Sequence, residues 1–141
     1  MISHWQPPEH DGIREQTADD VNRKIDLITR GAIADAEVSA WRIRARLAEI
    51  DREWNVDRAL MLNFAIVAGV SSSLAMRSLA RRGRIGGWGT LFFTQIAFLG
   101  YHAIRRWCPP MALFRRLGFR SAKEIAAERC ALEHQLAVLE A

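Results

Sequence analysis

The sequence predicts an all-α fold: an integral-membrane two-helix hairpin, with a long N-terminal amphipathic helix and a short C-terminal helix on the same side. Two uncharged apolar runs, residues 59–76 and 85–104, extend for eighteen and twenty residues. At the helical rise they reach roughly 27 and 30 Å, about the thickness of a bilayer's hydrocarbon core. Charge is segregated around them. Residues 1–58 carry nine Lys/Arg and twelve Asp/Glu, residues 59–123 ten Lys/Arg and no acid, and residues 124–141 one arginine against four glutamates. The third observation is a pair of narrow apolar seams at helical spacing, one before the runs and one after them. A soluble bundle of 141 residues has too little other apolar surface to cover two helices that are hydrophobic all round.

Residues 1–16 read as a flexible polar tail, and the stretch HWQPPEHDG beginning at His4 excludes an N-terminal signal peptide. Residues 17–54 read as one long helix, opened by Thr17-Ala-Asp-Asp20 in the manner of a capping box. Val21, Ile25, Ile28 and Ala32 recur at 4-3-4 spacing, and Ile43, Leu47, Ile50 and Trp54 repeat the pattern. Ile25, Ile28, Ile43, Leu47, Ile50 and Trp54 therefore form a candidate partner seam of coiled-coil character. A helix lying on the membrane is the weaker alternative, because anionic headgroups repel this net-acidic part of the chain.

Residues 55–108 read as the hairpin. Trp54 precedes the first run and Trp107 follows the second, so a hairpin sets both at one interface, with Trp88 near the other. The connection, residues 77–84 (RSLARRGR), is short and makes the helices antiparallel neighbours. Eleven basic residues flank the terminal side against four in the connection, which places both termini in the cytoplasm. Ala65, Gly69 and Ser73 recur every four residues as a candidate packing stripe, and Gln95 sits at the depth to bond a serine across from it. Neither run holds an acid, which argues against a proton or cation path.

Residues 109–141 read as an interfacial turn followed by an amphipathic helix. Pro109 and Pro110 permit only a helix start, and Gly118 supplies a stop. Ser121 to Glu124 (SAKE) is a second capping box, and Ile125, Leu132, Leu136 and Leu139 continue an apolar seam. This seam can pair within the chain or between chains. Arg77, Arg81, Arg82, Arg84, Arg105, Arg106, Arg115 and Arg116 bracket the apolar runs and read as lipid-headgroup contacts. The isoelectric point of about 9.8 thus points to membrane lipids and not to nucleic acid.

The segment Trp54-Asn-Val-Asp-Arg58, Gly69, the glycine-rich start of the second run, Cys108-Pro109, Leu117-Gly118-Phe119-Arg120 and the Glu124-Ile125 and Glu128-Arg129 pairs follow one another in order. Together they resemble the YgaP-like transmembrane domain family, small bacterial inner-membrane hairpins, over about residues 54–132. The resemblance implies a multi-pass inner-membrane protein with cytoplasmic termini. Some members carry a cytoplasmic rhodanese domain and dimerise through the hairpin. Residues 1–53 contain no cysteine for a persulfide loop, so sulfurtransferase activity does not carry over.

Cys108 is the candidate thiol, because arginines and a helix start beside it lower a thiol pKa. A small apolar residue capping the end of a membrane helix is the preferred reading of it. Two cysteines without ligand spacing give no metal site, no Ser/His/Asp set or carboxylate pair stands out, and no cofactor is expected. The sequence therefore reads as a non-enzymatic assembly, scaffold or accessory subunit, forming a homo-oligomer or part of a larger membrane complex. The alternative is a membrane thiol protein in sulfur or redox traffic.

Overall fold

The computed structural model describes residues 5–141, which form seven α-helices and no strand. They are α1 (Gly12–Glu15), α2 (Asp19–Ala36), α3 (Ala40–Ile50), α4 (Val56–Arg82), α5 (Gly86–Arg105), α6 (Pro109–Arg116) and α7 (Ala122–Glu140). The class is all-α, as the sequence predicts. The layout before residue 55 differs.

The stretch expected as one helix over 17–54 is two. Ser39 has an extended backbone and its hydroxyl accepts the Arg42 N–H at 3.3 Å, which starts α3 afresh. Thr17 does not cap α2. Ala18 holds that position without a side-chain bond, while the Thr17 hydroxyl donates to the Ile13 carbonyl at 2.6 Å. The break lets α2 and α3 both pack on α7, closing a core of Trp5, Ile33, Ala36, Ile43, Ile50 and Leu132. The expected partner seam is thereby filled from within the chain. Ile25, Ile43 and Ile50 are buried and Leu47 packs at the core's edge, whereas Ile28 is 60% exposed and Trp54 also stays accessible. The apolar face of α7 supplies the ridges that a partner helix was expected to bring.

The polar tail is also more ordered than expected from Trp5 onward. Trp5 is buried in that core, and Asp11 accepts the Ile13 N–H at 2.9 Å to cap α1. Residues 1–4 of the expected tail lie outside the described residues.

Asn55 caps α4 by accepting the Arg58 N–H at 2.8 Å. The helix then runs 27 residues, about 40 Å, and ends at Gly83, whose φ of 70° suits a residue without a Cβ. Arg77, Arg81 and Arg82 thus belong to the last turns of α4, and only Arg84 lies in the connection. α4 and α5 pack side by side across that three-residue link. Mid-helix, α4 buries Ser71 and Ala75. Ala65, Gly69 and Ser73 are exposed, and a Cβ on Gly69 would meet nothing within 4 Å. Two residues along a helix is a rotation of about 200°, so the stripe expected at the contact lies on the opposite side. A second set of small residues, Ser71 and Ala75, does the packing instead.

At the base of this pair, Ile13, Val56, Leu60, Phe64, Cys108 and Met111 form a second core. Pro109 and Pro110 open α6, as their spacing predicts. α6 ends in a Schellman motif: Phe119 N–H donates to Phe114 O at 3.1 Å, Gly118 N–H donates to Arg115 O at 3.0 Å, and Gly118 takes a φ of 97°. The Phe114 and Phe119 rings meet edge to face at 5.4 Å, the apolar clasp such a motif favours. The capping box at Ser121 is present in both halves.

Candidate functional site

Two features dominate: an uncovered apolar surface on α4 and α5, and a charged interior in the bundle beneath it. Among the described residues one helix, α4, is long and apolar enough to cross a membrane, and only 28% of its apolar stretch is buried. A core helix would show the reverse. Met61, Ile66, Val70 and Met76 on α4, with Phe93 and Ile104 on α5, point outward, Met61 at 70% and Ile104 at 81% exposure. In water each large apolar side chain left uncovered forgoes roughly 1.5–3 kcal/mol of burial. The second run was expected to span as well. α5 has the length, about 30 Å, yet with Gln95, His102 and four glycines it is not among the helices apolar enough to cross a membrane.

The polar groups inside this pair are few. The Gln95 carbonyl oxygen is buried without a hydrogen-bond partner, and the expected bond to a serine across from it is not made: Ser71 donates to Ala68 O at 3.2 Å, and Ser72 and Ser73 to Gly69 O at 3.1 and 2.7 Å. His102 Nε2 lies 3.6 Å from Asp57 Oδ1 at the lower end. Arg77, Arg81, Arg82 and Arg84 at the far end, and Arg105, Arg106 and Arg116 at the near end, have no carboxylate partner among the described residues.

Arg115 departs from that set. The sequence assigns it to lipid headgroups, but its side chain is fully buried, and all five guanidinium N–H groups find acceptors. Two go to Glu124 at 2.6 and 2.9 Å, one to Phe119 O, one to Asn22 Oδ1 and one to Thr17 Oγ1. The Schellman turn after α6 and the capping box of α7 bring Arg115 and Glu124 together. Glu124 also accepts from Arg14 at 2.5 Å and from the Ser121 N–H at 2.7 Å. Burial acts to raise the Glu124 pKa; the Arg115 hydrogen bonds and charge, the Ser121 amide and Arg14 outweigh it and hold it below the ordinary carboxylate range. A carboxylate so held is a poor proton acceptor. Its chemistry is that of a tie.

A second cluster lies alongside. Arg120 donates to Glu53 at 2.5 and 2.7 Å, to Glu128 and to Thr29 Oγ1, while Arg46 takes the other Glu128 oxygen at 2.8 Å. These bonds join α2, α3 and α7 to the segments flanking α4 and α6. Neither cluster is foreseen as a site in the sequence. The only sequence signals are Glu124 in the capping box and arginines next to Gly118.

Cys108 is buried, packed with Met111, Val56 and Leu60. Burial pushes its thiol pKa up, against a smaller downward pull from the Met111 N–H. That is opposite to what a reactive thiolate needs. Cys130, on α7, is exposed. Among the described residues no group of three or more His, Cys, Asp and Glu is placed to hold a metal ion.

No protein-family model, curated protein or solved structure matches the chain. The YgaP-like resemblance rests on the residues quoted for it.

Proposed function

We propose that the chain is a non-enzymatic inner-membrane protein in which α4 and α5 insert together as a hairpin. The bundle of α1–α3, α6 and α7 then sits on the cytoplasmic face as a docking platform for a larger assembly. The observation that carries this is the apolar surface of the pair, left uncovered by the described residues and ended by arginines without a carboxylate partner among them. Hydrocarbon removes the cost of that exposure, and headgroup phosphates meet the arginines at both ends. Trp54 and Trp107 below and Trp88 above sit at the heights of the two interfaces in such an arrangement. The excess of basic residues on the bundle side supports cytoplasmic termini. The family resemblance supports the bacterial inner membrane.

Oligomerisation is part of the proposal. Ala65, Gly69 and Ser73, left free by α5, are small enough for a helix of a second copy or another subunit to approach. The platform is rigid because its interior charges are paired across the whole bundle, which suits docking better than catalysis. The competing thiol role for Cys108 requires an accessible sulfur and is disfavoured by its burial.

Carbonate washing of membranes tests the proposal. An inserted pair stays in the pellet. Release of most of the chain by carbonate or high salt indicates instead a peripheral protein, or one whose apolar surface a soluble partner covers.

A further inference from the structure

Beside the first turns of α4 runs an open groove of about 280 Å³. Trp54, Leu62, Asn63 and Ile66 form one side, and the clasped rings Phe114 and Phe119 form the other. Asn63 is the one polar residue in this lining. At its end the Arg58 guanidinium lies 4.3 Å over the Trp54 ring. Among the described residues Arg58 has no carboxylate within ion-pair distance. An apolar trough therefore ends in an uncompensated cation held in place by an aromatic face.

We propose that this groove binds one anionic glycerophospholipid, with an acyl chain along Leu62, Ile66 and Phe114 and its phosphate on Arg58. The inference rests on the membrane reading above and deepens it by naming a single bound lipid at a built position. Charge argues for an anionic headgroup, since Arg58, on the same α4 face as Leu62 and Ile66 at four-residue spacing, is the cation beside the trough. Orientation agrees as well: the apolar trough leads along α4 away from the charged bundle, and the cation stands at the bundle end. A phospholipid in the adjoining leaflet has this polarity.

The test uses the full chain in mild detergent, supplied with phosphatidylglycerol or phosphatidylcholine of matched acyl chains, and counts retained lipid by native mass spectrometry. The wild type should retain one phosphatidylglycerol in preference to phosphatidylcholine. Arg58→Gln should cut that preference about fivefold, one charge's contribution near a membrane surface, while a lipid is still retained. Ile66→Trp and Leu62→Trp, both at exposed positions, should reduce retention of both lipids several-fold with helix content unchanged by circular dichroism. Lys24→Gln, removing an exposed cation on α2 in the bundle, should change nothing. Wild-type retention and selectivity in the Arg58 and both groove variants overturn the proposal, as does equal loss in Lys24→Gln. A chain that stays in carbonate-washed membranes yet shows that result refutes only the groove, whereas carbonate release refutes the membrane reading itself.

Discussion

Replacing Glu124 by glutamine removes one charge and almost no volume from the centre of the bundle. Arg115, fully buried and bonded twice to Glu124, is left as a cation with no counter-charge at its guanidinium, and Arg14 keeps only Asp26. The glutamine N–H₂ would also turn a donor toward donors. Breaking a buried pair from one side costs about 3–5 kcal/mol. That is a large share of the roughly 5–15 kcal/mol that holds a typical domain folded. The double variant Arg115→Met/Glu124→Leu removes both charges, and apolar replacement of a buried pair is often close to neutral. It should therefore be more stable than Glu124→Gln despite carrying more changes, though Thr17 and Asn22 lose their Arg115 bonds. Denaturant unfolding in detergent, followed by circular dichroism, measures the three proteins. A cost below about 1 kcal/mol for Glu124→Gln, the size of a surface pair, would refute the reasoning and return Arg115 to the lipid headgroups.

Other expectations follow from the same contacts. Because Glu124 is held below its ordinary pKa, its contribution is fully present above the unfolded value, about 4.3, and is lost as pH falls through the folded one. Stability measured across acid pH should fall below that range, and the part due to Glu124 should be missing in Glu124→Gln. Cys130 should react rapidly with a maleimide in the folded protein while Cys108 reacts only on unfolding, which mass mapping of the labelled peptides will show. Equal rates would restore Cys108 as a candidate thiol. Ile43→Asp puts a charge into a site that is 0% exposed. It should unfold the α2–α3–α7 bundle, costing several kcal/mol. If it only separates differently tagged copies, with helix content intact, the seam is an intermolecular surface after all.

Some of this structure is legible in the sequence because the signals are local. Uncharged length marks α4 and α5 to within a few residues at most ends. Pro109-Pro110, Gly118 and the Ser121-to-Glu124 box fix both ends of α6 and the start of α7. Reading residues 17–54 as one helix fails because Ile25 and Ile43 share a spacing that one helix or two can satisfy. Only the Ser39 cap decides it, and a serine is a weak signal alone. Most of the seam residues do make apolar contacts; their partner, Leu132 on α7, lies some ninety positions away in the chain. Arg115 is misassigned for the same reason. Its acceptors on Thr17 and Asn22 are 98 and 93 residues distant in sequence, and nothing local separates it from Arg116, which stays exposed. On α4, two sets of small residues lie on opposite faces, and the regular four-residue spacing of one favours the wrong set.

If α4 and α5 cross the bilayer together, the Gly83–Ile85 turn and the bundle lie on opposite sides. Arg84→Cys in a Cys130→Ser background reports the turn, and native Cys130 reports the bundle; Cys108 is buried in both. Labelling with a membrane-impermeant maleimide in spheroplasts, before and after permeabilisation, reads the side directly. A spanning pair predicts that the thiol introduced by Arg84→Cys reacts in intact spheroplasts, and Cys130 only after permeabilisation. Reaction of both positions under the same condition would place turn and bundle on one side and contradict a spanning pair.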